Sequence, residues 1–282
     1  MKKRRLQTDT LALTTSGPLE LVPIGCGSAF SKQLYQNNWL IRKGSDHAMI
    51  DCGGRTPQAL GELGLSVTDI DHWLITHSHA DHIGGLEEVM LMNRYVAHSR
   101  ATIHIPAMYE RTLWRDSLRG GSAPNELHDG RQLRFRDFWN VKRPVPLDGY
   151  PRDTEQVAIG SIDLKTIRTR HFPEQAETWR DSAYSIGLIV DDRILFTGDT
   201  QFDPELLESY DRIFGFETIF HDVQFTPGGI HAGLDQLCSL PRSIKERVVL
   251  MHYSDTYQSY KRRVRDEGFL GFAEQRHAYV FR

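Results

Sequence analysis

The 282-residue sequence has only three cysteines, Cys26, Cys52 and Cys238. That number is too small and too odd for a disulfide framework, so small buried thiols are expected instead. No apolar run approaches the ~20 residues of a membrane-spanning helix, so no membrane partner is expected. The basic opening Met1-Lys2-Lys3-Arg4-Arg5 is not followed by the apolar core of about 7–15 residues that a secretory signal needs. Leu6 to Pro18 is rich in Gln, Thr and Asp instead. Charge of one sign is also scarce: the net charge is -3, which offers no general attraction for a nucleic-acid backbone. Internal repeats and linker-like stretches are missing too. These absences leave a cytoplasmic protein folded as one domain over residues 1–282. At 39% hydrophobic residues it has enough apolar material for a sizeable core.

What the chain does have is a concentration of metal-ligand side chains. His77, His79, Asp81 and His82 fall within six residues, after the apolar Trp73-Leu74-Ile75 and before Gly84-Gly85. That placement reads as a strand end opening into a loop, where a sheet can hold ligands rigidly. Burying three imidazoles and a carboxylate without a partner is costly. Other strand-like segments also end on ligand types: 162–169 before His171, 193–197 before Gly198-Asp199, 217–220 before His221-Asp222, and 247–251 before His252. Strands are further expected at 19–24, 38–43, 47–50 and 101–105. Helices are expected from Thr56 (as N-cap) to about 63, from 84 to 95, from Pro106 to near Gly120-Gly121, and from 256 to 265. Residues 106–146, above all 120–146, show no clear period and read as a surface insertion. Its Phe135, Phe138 and Trp139 suit a lid, a dimer contact or a local core. Its Arg131, Arg134 and Arg136 read as a solvated charged face.

In an extended segment residues i and i+2 share a face, so His77 and His79 are placed to grip one ion together. Asp81 and His82 lie one turn further and point to a second ion. On this reading His171 completes the first site and His252 the second, and the two oxygens of Asp199 bridge them. Gly198 permits close backbone approach there. Imidazoles and carboxylates without thiolate suit Zn²⁺ first, with Mn²⁺ or Fe as alternatives. A pair of divalent ions about 3.5–4 Å apart is the arrangement that clamps an anionic substrate.

The combination His77-x-His79-x-Asp81-His82, His171, Asp199 and His252 resembles the metallo-β-lactamase-fold hydrolases over nearly the whole chain. That resemblance implies an α/β (α+β) architecture: an αββα sandwich of two mixed sheets flanked by helices, with a dinuclear metal site at one edge. His79 stands where flavo-diiron oxygen reductases of this fold carry Glu, which argues against a redox role. Asp199 is a bridging carboxylate that many β-lactamases of the fold lack. Glyoxalase-like thioesterases share the ligand set and stay open.

The leaving group separates these options. A thiolate departs easily, with a pKa of about 8.5, whereas a ribose alkoxide needs a proton from a general acid. His221-Asp222-Val223-Gln224-Phe225 and the following Gly229-Ile230-His231 resemble the His-Glu-x-x-Phe and downstream His of ribonuclease Z and related phosphodiesterases. By that match Asp222 orients His231 and His231 protonates the departing oxygen. Aspartate replaces glutamate here and sits one methylene further back. A helix-capping role is the plainer alternative for His231.

A narrower likeness runs through His77–Leu86, Leu113-Trp114…Leu118-Arg119-Gly120-Gly121, His221-Asp222 through His231 to Leu240-Pro241, and His252-Tyr253. These segments resemble the anti-Pycsar phosphodiesterases, which open 3′,5′-cyclic nucleotides. The resemblance implies a homodimer acting on cyclic nucleotides, cyclic CMP and cyclic UMP among them, with Asp81, Asp222 and His231 as catalytic residues. Gly25-Cys26-Gly27-Ser28 reads either as an ordinary tight turn or as a source of backbone N–H groups for a phosphate, with Ser28 as the substrate contact on the second reading. A ribonuclease Z-like RNA phosphodiesterase, a thioesterase and a nucleotide-sequestering protein are the alternatives.

Overall fold

The computed structural model describes residues 1–6 and 10–282. The strands of the first half are β1 (Lys2–Arg5), β2 (Leu19–Pro23), β3 (Trp39–Lys43), β4 (Asp46–Ile50), β5 (His72–Leu74), β6 (Thr102–His104), β7 (Leu127–His128), β8 (Arg131–Gln132) and β9 (Asn140–Lys142). Those of the second half are β10 (Val145–Leu147), β11 (Thr154–Ile159), β12 (Ile162–Arg168), β13 (Ile186–Val190), β14 (Ile194–Phe196), β15 (Thr218–Asp222), β16 (Val248–Met251), β17 (Gly271–Phe272) and β18 (His277–Phe281). Among the described residues they form two eight-stranded sheets, ordered β1-β18-β2-β3-β4-β5-β6-β9 and β10-β11-β12-β13-β14-β15-β16-β17, and a small β7–β8 hairpin.

Each sheet is antiparallel at one side and parallel at the other. In the first the change comes at β4–β5, in the second at β14–β15. The consequence is positional. The C-terminal ends of β5, β12, β14, β15 and β16 are the ends that lead into the ligand-bearing loops, and ligand sites of α/β sheets favour such ends. Strands buried on both faces, such as Ile186–Val190 and Val248–Met251, read as continuous apolar runs for this reason.

The sheets pack face to face. Trp39 of β3 is fully buried and meets Phe196 and Phe220 of the second sheet edge-on, with ring centroids 5.6 and 4.9 Å apart. Such aromatic pairs contribute about 0.5–1.5 kcal/mol each beyond the area they bury. Helix Pro204–Phe214 covers the outer face of the second sheet with Leu206, Leu207 and Tyr210. It starts where Asp203 accepts the Leu206 N–H at 3.1 Å and ends at Gly215 in the left-handed region, a standard pair of helix signals. Helices Thr56–Gly61 and Leu86–Tyr95 cover the outer face of the first sheet. The αββα expectation is met.

Several local expectations shift. Thr56 is already the first helical residue, because its hydroxyl is spent on the Asn38 side chain rather than on a cap. The helix expected from Gly84 is two pieces, Ala80–Ile83 and Leu86–Tyr95, so Asp81 and His82 sit on a helical turn. The helix expected to stop near Gly120 continues through a π-helical turn, Leu113–Leu118, to Ser122.

Of the three readings of the rings in 106–146, the local core is the one observed. Phe135, Phe138 and Trp139 are buried in the core beneath the first sheet, and β9 extends that sheet beside β6. Three large apolar rings in a short stretch are more stable buried than left as a lid. Arg131 of the charged face pairs with Asp137 at 2.6 Å. The strand β1, built from the basic opening residues, closes one edge of the first sheet against β18. Its four exposed Lys and Arg side chains discourage further strand addition.

Candidate functional site

The apolar strand β5 carries the chain to Thr76, and the loop 76–79 then turns into the helical turn Ala80–Ile83. His77 and His79 project from the extended part. His77 Nε2 lies 2.9 Å from His79 Nδ1, and His171 Nε2 lies 3.2 Å from the same atom. Asp81 and His82 project from the helical turn toward His252 and Asp199. His82 Nε2 is 3.2 Å from Asp81 Oδ2 and 3.1 Å from Asp199 Oδ2. His252 Nε2 is 3.2 Å from both of those oxygens. Asp199 Oδ2 also lies 3.9 and 4.0 Å from His77 Nε2 and His171 Nε2, so this carboxylate faces both groups. Gly198, at φ +61°, makes that approach possible: a Cβ there would stand 2.5 Å from the Ile186 carbonyl oxygen.

The two groups differ in charge. Burial, then the neighbouring His82 and His171, hold the His77 imidazole well below its ordinary pKa. Burial also pushes His171 down to about 3, so both present neutral rings. In the second group burial opposes charge, yet Asp81 and Asp199 hold His82 well above its ordinary range and raise His252 as well. Against the same burial, His82 and His252 hold the Asp81 and Asp199 carboxyls below theirs.

The donor set suits divalent cations. His77, His79 and His171 form one group whose ligand atoms lie within 4.8 Å of one another, Asp81, His82, Asp199 and His252 form another, and His171, Asp199 and His231 form a third that overlaps both. Three neutral imidazoles converging on one point have lone pairs that a cation satisfies together. Asp199 Oδ1 is buried and has no hydrogen-bond partner among the described residues, and such an oxygen is costly without a ligand.

The groups behind these candidate ligands fix their orientation, as outer-shell partners of metal ligands do. His171 Nδ1 sits 2.8 Å from the Ile230 carbonyl, which turns Nε2 inward. Asp51 is the larger contributor, and the sequence reading passed over it. Its Oδ2 is 2.6 Å from His82 Nδ1, and its two oxygens accept the Thr76 N–H and hydroxyl at 2.7 Å each. Asp51 adopts φ +64°, a conformation Asp and Asn tolerate better than most residues. The signal in the sequence was a single Asp closing a buried strand before Gly53-Gly54. Asn38 adds a brace by donating to the Asp81 carbonyl at 3.0 Å. From the 106–146 segment, Tyr109 reaches the Ser78 hydroxyl at 3.0 Å, between the two histidine ligands.

His231 stands at the rim of this cluster. Its Nδ1 is 2.9 Å from Asp222 Oδ2, and the same oxygen accepts the Thr200 N–H at 3.2 Å. Its ring lies 5.0 Å from that of His171 and 4.5 Å from that of His252. The following helix, Leu234–Cys238, has Gly233 as its N-cap, so capping is not what His231 does. Asp222 ends β15 and is fully buried; burial disfavours its charge, but His221 and His231 hold the carboxyl below its usual pKa.

The glycine-turn expectation is corrected. The N–H groups of Gly25, Gly27 and Ser28 donate to Asn38 O, Tyr35 O and Tyr253 O at 3.1, 2.9 and 2.9 Å. Gly27 bridges to both Gln36 and Tyr253, so these three donors hold the turn and are not free for a phosphate. Ser28 is placed beside the residue after His252, without the basis expected for it. Cys26 and Cys52 are buried free thiols and Cys238 is a half-buried one, as the sparse cysteine count led one to expect.

Residues 19–279 match the protein family described as Anti-Pycsar protein Apyc1. The chain is 35% identical over 265 residues to the "Anti-Pycsar protein Apyc1" of Bacillus phage vB_BsuM-Goe3, covering 91% of this chain and 96% of that one. It is 33% identical over 264 residues to the protein of that name from Paenibacillus sp. (strain J14), covering 93% and 99%. Among solved structures, a diphosphatase from the PhnP family superposes with a TM-score of 0.69 at 15% identity, covering 94% of this chain and 98% of that one. The metallo-β-lactamase fold protein YhfI from Bacillus subtilis gives 0.67 at 13% identity (94% and 100%), and the short form of human tRNase Z gives 0.60 at 18% (92% and 98%). These likenesses establish the metallo-β-lactamase fold.

Proposed function

The chain belongs to the anti-Pycsar Apyc1 family, and from that premise we propose that it hydrolyses the ring phosphodiester of 3′,5′-cyclic nucleotides to nucleoside monophosphates, counteracting Pycsar signalling. The observation that carries this reading is His231, held by the buried Asp222 at 2.9 Å and placed at the rim of a two-part metal-ligand cluster. A thioesterase has no need of such a proton donor, because a thiolate leaves unaided; a ribose oxygen does need one.

His77, His79 and His171 hold one cation on this account; Asp81, His82 and His252 hold the other, and Asp199 faces both. Two divalent ions, Zn²⁺ first and Mn²⁺ as the alternative, supply Lewis acidity toward the phosphoryl oxygens and activate water at neutral pH. Asp222 accepts the Nδ1 proton of His231, which leaves Nε2 as the nitrogen that delivers a proton to the departing ribose oxygen. Thr200 N–H holds Asp222 from the other side, so the acid arrives with its ring orientation already set. Asp51 does the equivalent for His82.

The free thiols accord with the reducing cytoplasm as the site of action, and no helix among the described residues is long and apolar enough to cross a membrane. A homodimer is part of the proposal on family grounds, and light scattering on the purified protein tests it.

The experiment is a turnover panel on zinc- or manganese-loaded protein, with 3′,5′-cyclic CMP, UMP, AMP and GMP beside precursor tRNA, and chelator-treated protein as the control. Multiple turnovers on the cyclic mononucleotides, lost on chelation and restored by metal, are expected. Cleavage of RNA alone moves the protein to a nuclease, and one-for-one depletion of a nucleotide makes it a sequestering protein.

A further inference from the structure

A proton donor must touch the oxygen it protonates. If His231 serves the ribose oxygen, the sugar and base lie on the side of His231 that faces away from the metal ligands. A cavity of about 550 Å³ has His231 in its wall and none of the seven candidate metal ligands, as a space on that side requires. Sites for small organic molecules span roughly 300–1,000 Å³, so the space suits a nucleoside.

The lining has the mixed chemistry that a base and a sugar need. Phe225 and Tyr260 stack at 4.1 Å with planes 6° apart, which fixes both rings. Tyr260 is half-buried, and its hydroxyl has no hydrogen bond among the described residues. Two carboxamides are oriented by the backbone. Gln201 donates to the His171 and Pro173 carbonyls at 2.8 and 3.1 Å, and Gln224 donates to the Thr226 and Gly228 carbonyls. With their nitrogens committed, their oxygens are set as acceptors for a sugar hydroxyl or a base amine. Gln236 is the converse: its oxygen accepts the Gly233 N–H at 2.9 Å, leaving its NH₂ to donate. Rigid aromatic faces with a few fixed donors and acceptors are what unstacked bases are recognised by.

We infer that this cavity is the nucleoside subsite, with Tyr260 and Phe225 as the aromatic wall for the base and Gln236, Gln201 and Gln224 reading its polar edge or the ribose 2′-hydroxyl. The inference rests on the phosphodiesterase reading above and assigns its selectivity to a second, separable part of the molecule.

The test is direct binding to the metal-loaded protein by calorimetry, with cytidine 5′-monophosphate and ribose 5-phosphate as probes. The two share the phosphate and sugar, so their affinity ratio reports the base alone. Wild-type protein is expected to favour the nucleotide at least ~10-fold, since stacking of one base contributes roughly 5- to 150-fold. Tyr260→Ala should remove most of that margin, and Tyr260→Phe, which keeps the ring, should retain it. Gln236→Ala, on the exposed start of a helix, should reduce it by a smaller factor with no risk to the core. Equal affinity of the two probes for wild-type protein, or a margin that survives in both alanine variants, overturns the subsite. Absence of cyclic-nucleotide turnover by a wild-type protein that shows the margin is a different result, which sinks the parent reading instead.

Discussion

The two halves of the chain reach the site by different routes. The first sheet delivers His77, His79, Asp81 and His82 from one loop and one helical turn, all braced together. Asp51 ties Thr76 to His82, Asn38 holds the Asp81 carbonyl, and Tyr109 holds Ser78. The second sheet delivers His171, Asp199, Asp222 and His252 singly, each from its own strand end; Ile230 O supports His171 and Thr200 N–H supports Asp222, whereas His252 Nδ1 and Asp199 Oδ1 have no hydrogen-bond partner among the described residues. Ligands from the first half therefore share their supports, whereas those from the second half stand or fall one at a time. Asp199 is the joint, because among the described residues only its carboxylate lies within about 4 Å of candidate ligand nitrogens from both groups.

The largest expected effect comes from removing a ligand inside the braced half. Asp81→Ala leaves His82 with two of its three carboxylate neighbours and His252 with one of its two. Elemental analysis should find bound metal reduced from two ions to about one per chain. Turnover should fall by at least ~10³, the scale of the several kcal/mol that a catalytic ion supplies. Two ions retained in Asp81→Ala would break the assignment of this residue to the second site.

Asp51→Asn is a milder probe of the shared brace. Asparagine tolerates the same backbone conformation, so the fold should survive, but one acceptor that holds both His82 and Thr76 becomes a donor. Metal affinity or turnover should drop by about 10–100-fold, the usual cost of an outer-shell partner. A Thr200→Ala chain serves as the comparison: its backbone N–H to Asp222 persists, so metal binding should stay within about threefold of wild type. Equal losses in the two chains would take the Asp51 brace out of the account.

The smallest effect concerns histidines of the first sheet that face away from the site. His104 is buried 3.1 Å from His72 Nδ1, and burial followed by His72 lowers its pKa to about 4. The folded state thus prefers the neutral ring. The unfolded chain takes up a proton near pH 6.5, so this contribution to stability is complete above that pH and is lost as pH falls toward 4. Denaturant melts at pH 7 and 5 should show a stability loss that is smaller in His104→Gln by on the order of 1–2 kcal/mol. The same loss in both proteins would assign the acid sensitivity to the metal-ligand histidines instead.

The same contrast explains what could be seen in the sequence. The cluster 77–82 was legible because its residues are adjacent, and His171, Asp199 and His252 were legible because each follows an apolar run that reads as a strand. The sandwich followed from that pattern together with the family resemblance. Asp51 was not legible, since its role depends on a partner 31 positions away and on a left-handed backbone angle that one Asp in a strand-ending turn does not announce. The strand pair β1–β18 was hidden because it joins the two ends of the chain, where no local pattern marks a partner. In 106–146 the short elements and the π-helical turn blur any period, so burial of Phe138 and Trp139 had to come from the packing. At Gly25 to Ser28 a loop-and-glycine pattern suggested free donors, and tertiary partners had taken them.

The central claim is that His231 supplies the leaving-group proton, and the dependence of its loss on the leaving group tests it most directly. Turnover by metal-loaded wild type and His231→Ala should be compared on 3′,5′-cyclic CMP, whose ribose oxygen needs a proton, and on bis(p-nitrophenyl) phosphate, whose aryl oxide departs without one. The account predicts a fall of about 10²–10⁴ on the cyclic nucleotide, a far smaller fall on the aryl ester, and unchanged metal content. An equal fall on both substrates, or none on either, contradicts it.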